Sequence, residues 1–211
     1  MNEVYYILVD GEQTGPYTFD ELIDQEPEIH TRIMAPSADT WQDACDLPEL
    51  FEFFRERGTY FPTEDNLASY WWRLLATLID LLLLSFLMSF ILPILNQRGV
   101  LHIKLDSFDP YKASQHDIFA IQIIFNSIII LYNSICEASS LKGSLGKKVC
   151  GLVVVDADGQ GLKYGVALFR SFGKVVSIFF WGVGTFSIFW TEHKQALHDF
   201  LAKTYVVRKN V

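Results

Sequence analysis

From Leu74 to Leu95 the chain runs for 22 residues with one charge, Asp80. A helix rises about 1.5 Å per residue, so this run covers roughly 33 Å, the thickness of a bilayer's hydrocarbon core. Length and apolarity together predict a first transmembrane helix over 71–95. Trp71, Trp72 and Arg73 precede it and suit the headgroup layer, where aromatic rings and snorkelling cations are stable. Asp80 falls below that layer, at a cost of about 2.5–3.5 kcal/mol on insertion scales, so it must face a partner or water. Arg73 and Asp80 are two helical turns apart and share one face.

Charge divides the chain. Residues 1–65 carry 16 acids and three bases, and residues 66–211 carry nine acids and 14 bases. An acidic head followed by a basic, apolar body predicts two environments, with the basic excess lying against anionic lipid. No basic cluster is interleaved with exposed-type aromatics, which argues against nucleic acid as a partner. Cys45, Cys136 and Cys150 form no C-x-x-C pair, so a reducing face is expected, with no disulfide framework. The opening residues MNEVYYILVDGEQ carry no signal-peptide pattern, so the N-terminus is expected to be cytoplasmic.

The head, 1–57, reads as a small α+β domain. Val4–Val9 is strand-like, Asp10-Gly11 and Gly15-Pro16 are turn signals, and Thr18 with Glu21 forms a capping box. The helix that follows should bury Phe19, Leu22 and Ile23. Ile29–Met34 and Thr40-Trp41 read as strands, Trp41 as a core residue, and Pro48 precedes an amphipathic helical turn. Residues 58–69 form a linker.

In the body, 118–136 is uncharged and long enough for a second crossing. Gln122, Asn126 and Asn133 share one face of it and should hydrogen-bond to a neighbouring helix. The loop 140–165 is basic and glycine-punctuated. Leu152–Val155 with the Asp158-Gly159 turn predicts a small interfacial β-hairpin, and Lys147 and Lys148 are expected to contact lipid headgroups. The third apolar segment, 166–190, leaves two readings. One is a re-entrant hairpin, favoured by Gly182 and Gly184; the other is a third crossing extended back through Arg170. The tail, 191–211, is basic, which favours the cytosolic side.

Two resemblances follow from these motifs. YYILVDGEQTGPYTFDELI with TWQDACDLPEL resembles a GYF-like domain, through Tyr5, Tyr6, Gly15, Pro16, Tyr17, Leu22 and Trp41. GYF domains bind proline-rich peptides, so the resemblance implies a cytosolic protein or peptide partner at Tyr5, Tyr6, Pro16, Tyr17 and Trp41. The other reading of Tyr5, Tyr17 and Trp41 is a mini-domain core. Over 70–209, W-R-L-L-A-x-L-I-D at Trp72–Asp80, S-L-G-K-K-x-x-G-L-x-V-V-D at Ser144–Asp156 and A-L-H-D-F-L-A-K-T-x-V-V at Ala196–Val207 resemble the RDD family of bacterial integral membrane proteins. The family's name residues fall on Arg73, Asp80 and Asp199. The resemblance implies a multi-pass protein of the bacterial inner membrane, for which transport is the usual proposal.

A polar cluster of Arg73, Asp80, His198 and Asp199, joined by Glu137, is expected. Like charges at Asp80 and Asp199 would raise one carboxyl and suit proton or cation binding; the other reading is a fold-locking ion pair. A zinc site from His193, His198 and Asp199 is disfavoured, because a five-residue spacing does not bring two histidines together on a helix. No nucleophile–base pair, metal-ligand spacing or phosphate loop is present, so no enzyme activity, metal or cofactor is expected. The competing functions are a transport or ion-exchange component, which with so few helices requires a homo-oligomer, and a membrane-anchored adaptor that recruits a cytosolic partner.

Overall fold

The computed structural model describes residues 4–9, 11–36, 38, 40–99, 115–179 and 183–209. Most of the expected loop after Leu95 falls outside these residues, as do Asp10 of the first turn and Gly182 of the third apolar segment. The chain forms two compact units, one of Met1–Phe61 with Asp158–Gln160, the other of the remaining residues.

In the first unit, β1 (Tyr5–Val9) pairs antiparallel with both β2 (Glu12–Tyr17) and β3 (Arg32–Met34). The short β4 (Gln42–Asp43) completes a sheet of order β2-β1-β3-β4. Tyr5 and Ile7 alternate into the core, as a half-buried strand requires. Helix α1 (Phe19–Asp24) starts at the expected capping box: the Thr18 hydroxyl accepts from the Glu21 N–H, and the Glu21 carboxylate accepts from the Thr18 N–H at 2.8 Å. Leu22 is fully buried beneath it. A 3₁₀ turn at Pro48–Leu50 leads into α2 (Phe51–Glu56), which places Phe53 and Phe54 in the core, with Phe61 edge-on to Phe54 at 5.4 Å.

Two expectations for the head need correction. Gly15-Pro16 lies inside β2 and is not a turn. The strand tolerates proline because it is the edge of the sheet. Gly15 has φ +125°, and a Cβ there would lie 2.9 Å from the Tyr5 carbonyl oxygen. Trp41 is half-buried and not a core residue, because Phe53, Phe54 and Phe61 fill that interior. The Asp158–Gln160 turn belongs to this unit, and its Gly159 carbonyl accepts from the Tyr60 N–H at 2.9 Å.

In the second unit, α3 (Tyr70–Gln97) and α4 (Gln115–Ala138) are each long and apolar enough to cross a membrane. On α3 only Ala76, Asp80, Leu84 and Met88 are buried, a stripe at four-residue spacing. Leu78, Leu82, Phe86 and Phe90 point outward, an apolar exterior suited to lipid. The Ala76–Asp80 end of the stripe packs on α5 (Leu145–Val149), whose Gly146 meets α3 backbone to backbone: a Cβ on Gly146 would lie 2.1 Å from the Ala76 carbonyl oxygen.

All four residues of β5 (Leu152–Val155) are buried, and their partner is β6 (Tyr205–Arg208), with Leu152 opposite Arg208 and Val155 opposite Tyr205. The expected local hairpin across Asp158-Gly159 is therefore replaced by a long-range ladder. A strand buried on both faces needs an apolar partner, and Val206 and Val207 supply it. Strand β6 also holds the segment leading into α3: the Ala68 N–H donates to the Val206 carbonyl and the Arg208 N–H to the Asn66 carbonyl.

Helix α6 (Tyr164–Phe179) packs along α4 and turns Ala167, Arg170, Ser171 and Ser177 inward, with Phe169, Phe172 and Val176 outward. The short α7 (Val183–Phe186) lies back against it, since a Cβ on Gly184 would sit 2.6 Å from Ser177 Oγ. After α7 the chain is again beside the start of α3, where the Phe189 ring lies 5.0 Å from that of Tyr70. Helix α8 (Leu197–Leu201) follows. Ala68, Ala138, Leu162, Ala167 and Val206 share one cluster, so the starts of α3 and α6, the end of α4 and β6 lie at one end of the unit.

Candidate functional site: a buried charge network and its cavity

The network is built from α3, α4, α5, α6 and α8. Glu137, near the end of α4, is wholly buried, and its Oε1 meets Lys147 Nζ at 2.5 Å, Arg170 Nη1 at 2.6 Å and Lys174 Nζ at 3.6 Å. Arg170 Nη1 is not aligned for a hydrogen bond, so that contact is Coulombic. The rest of the guanidinium turns to α8, where Nη2 and Nε donate to Asp199 Oδ1 at 2.5 and 2.8 Å. Asp199 Oδ2 receives Arg73 Nη1 at 2.5 Å. Arg73 also donates to the carbonyls of Ala68 and Lys194, which fixes its fork at the start of α3. Lys174 donates to Asn133 Oδ1 at 3.1 Å.

Local sequence explains the assembly. Arg170 and Lys174 are one turn apart on α6. Gly173 lies between them, and its missing side chain lets α8 approach: a Cβ there would stand 3.2 Å from His198 Cβ. Asp199 takes the third position of α8, where its carboxylate accepts from the Ala196 N–H.

Burial alone would raise the Asp199 carboxyl, but Arg170 and Arg73 hold it well below the usual carboxylate range. The rise expected from like charges at one or other of Asp80 and Asp199 is not found at Asp199. Burial pushes His198 down to about 3 against the pull of Asp199, which leaves it neutral. Burial also pushes the Lys147 ammonium down to about 7, with Glu137 opposing and Lys174 and Arg170 adding to the drop.

Asp80 has other partners. Its Oδ1 accepts from the Gly146 N–H and from the Tyr132 hydroxyl, each at 2.7 Å, and that hydroxyl accepts from the Leu145 N–H. The structure thus brings Arg73, His198 and Asp199 together and gives Asp80 a separate set of neutral donors. Lys147 is buried on Glu137 and does not face outward to headgroups, because the α5 backbone that seats Gly146 on α3 turns it inward; Lys148 is exposed. Arg170, the residue that joins both carboxylates, was missed by sequence reasoning. Its signal was a pair of cations, Arg170 and Lys174, one turn apart in an otherwise apolar helix. Of the polar face on α4, Asn133 is buried and bonded to Lys174, whereas Gln122 is exposed.

A cavity of about 170 Å³ opens beside the network. Arg73, Lys147, Arg170, Lys174 and His198 line its polar side, with Tyr70 and Ile188 among its apolar walls.

On the head, Tyr5 is buried in the core and unavailable to a ligand. Tyr6 and Tyr17 are half-buried and flank Gly15, beside the exposed Pro16. Trp41 precedes β4 at the opposite edge of the sheet and does not join them. His30, Asp43 and Cys45 offer ligand atoms within 4.8 Å of one another, but Arg32 already pairs with Asp43 at 3.0 Å.

The sequence model of the RDD family matches residues 67–203, and that of GYF domain 2 matches residues 5–50. The chain is 31% identical over 150 residues to the uncharacterized protein YxaI of Bacillus subtilis (strain 168), a match covering 67% of this chain and 97% of that protein. No solved structure matches.

Proposed function

Because the chain belongs to the RDD family and carries a GYF domain 2 at its head, we propose that this membrane protein is a transport or ion-exchange component, with its site at the cavity beside Arg73, Lys147, Arg170 and Lys174. The observation that supports this reading is the concentration of charge inside the unit that bears the two span-length helices. Each charge kept from water there costs several kcal/mol before pairing, roughly, and such residues commonly mark ion and substrate pathways. In this reading α3 and α4 cross the inner membrane, and α6 with α7 forms a re-entrant hairpin. The head, the end of α4 and β6 then face the cytoplasm. Assembly into a homo-oligomer encloses the path, and the protein performs no covalent chemistry.

Proteoliposomes test the reading. Flux of chloride or phosphate, alone or coupled to protons, is expected, and it should fall at least tenfold in Lys174→Gln. Absence of flux for all three would end the transport reading. A reporter fused after Arg208 should be cytoplasmic; one found outside the cell would refute the hairpin topology.

A second reading has its own support. The GYF domain 2 match and the accessible Tyr6–Pro16–Tyr17 patch suit an adaptor that recruits a partner through a proline-rich peptide. Peptide binding weakened by Tyr17→Ala, together with no flux, would favour it.

A further inference from the structure

We infer that the cavity bounded by Arg73, Lys147, Arg170 and Lys174 binds an oxyanion, namely the phosphate group of free phosphate or of a lipid headgroup. The inference shares its cavity with the transport reading but does not require flux, so binding without flux would leave it standing while ending that reading.

Charge balance is the first ground. Four cations are in direct ion contact with only two carboxylates, Glu137 and Asp199. With Lys147 protonated that leaves two positive charges in excess, or one if the nearby Asp80 is counted; burial favours loss of the Lys147 proton, which an anion in the cavity would oppose. Among the described residues Asp80 is engaged by an N–H and a hydroxyl and by no cation in direct contact. Uncompensated charge away from water is costly, and an anion of one or two charges removes the excess.

The donor set is the second ground. Among the described residues no carboxylate lines the cavity, so its polar side carries two guanidinium and two ammonium groups; the guanidiniums and Lys147 are held by their carboxylates and carbonyls and act by charge, and Lys174 is the donor with room to turn to an anion. A cation placed there would meet four like charges. An ammonium serves a phosphate as a point charge. Lys174 is the member with most to gain. Its contact to Glu137 is the longest of the set at 3.6 Å, and its side chain is 21% exposed, against 1% for Arg170.

Size and walls are the third ground. About 170 Å³ admits a tetrahedral oxyanion with room left over. Tyr70, Leu74 and Ile188 would then lie against the ester portion of a phospholipid, or against water if the anion is free.

The test uses the full chain in nanodiscs at constant ionic strength. Inorganic phosphate is titrated calorimetrically in neutral phosphatidylcholine discs. In a second arm, without phosphate, retention of phosphatidylglycerol over phosphatidylcholine is measured by native mass spectrometry. Lys174→Gln should weaken whichever signal is present at least tenfold, and Arg57→Gln, which removes an exposed cation of the head, should not change it. Thr77→Leu narrows the cavity without altering charge and should weaken it too, which keeps the test decisive if Lys174→Gln fails to fold. A phosphate response identifies the free anion, and selective phosphatidylglycerol retention identifies the headgroup; either supports the inference. Neither signal, or a signal unchanged in both cavity variants, overturns it.

Discussion

At Asp80 a single acid in the apolar run of α3 is reconciled with its surroundings by two neutral donors, the Gly146 N–H and the Tyr132 hydroxyl. Substitution should therefore depend on acceptor chemistry more than on charge. Asp80→Asn keeps an acceptor oxygen and is expected to cost little. Asp80→Leu strands both donors and should cost about 2 kcal/mol or more. Thermal unfolding in detergent micelles distinguishes the two, and equal losses would show that the negative charge itself matters. His198 makes the opposite kind of statement. Its folded imidazole is driven down to about 3, while an unfolded one titrates near 6.5. Between those values the unfolded chain holds a proton that the folded chain lacks, so stability present above pH 6.5 is lost as pH falls. Lowering pH from 7 to 5.5 should remove about 1 kcal/mol through this group, and His198→Gln should lack that increment. Denaturant midpoints at the two pH values provide the check, and parallel losses in both proteins would exclude His198 as the source.

Elements were unequally legible in the sequence. Helices α3 and α4 declare themselves by hydropathy, and α1 by its capping box, because each signal is local. Strand β5 was legible as a strand but not in its pairing, since β6 lies some fifty residues further on and nothing nearby names it. The meaning of Gly146 was equally hidden. In sequence it is one of several glycines in a basic loop; in the fold it is the point where α5 touches the α3 backbone. Arg73 and Asp199 were readable as partners through the family resemblance, whereas Arg170 was hidden because a cation in a segment of uncertain topology carries no address. The helix contact yields a prediction. Gly146→Val introduces a side chain where a Cβ alone would overlap Ala76, so α5 must lift from α3. A loss of about 3 kcal/mol is expected, read as lowered thermal stability in micelles. Val at the neighbouring exposed position, Lys148→Val, should be tolerated.

The molecule as a whole divides its charge as it divides its architecture. Acidic residues are in excess in the β-sheet head, while the body keeps a positive excess and buries charges of both signs. That body depends on a distant strand. Deleting β6 by truncation ahead of Tyr205 removes the partner of four buried residues and the hydrogen bonds to Asn66 and Ala68. The truncated chain is expected to insert but not to reach a compact state, seen as protease cleavage within the 140–165 loop that the intact chain resists.

Strand β6 follows every other element of its unit in sequence, and this sets an order of biogenesis. In the proposed topology, synthesis delivers α3, α4 and α6 to the membrane before α8 and β6 exist. In that interval Arg73 and one arm of Arg170 lack Asp199, and β5 lacks its mate. In that topology the nascent protein is a set of inserted helices with unpaired charge, the kind of species that membrane chaperones hold and membrane proteases destroy. Arrival of Asp199 and β6 ends that vulnerability in one step, so the same few residues that close the network also certify that translation has passed them.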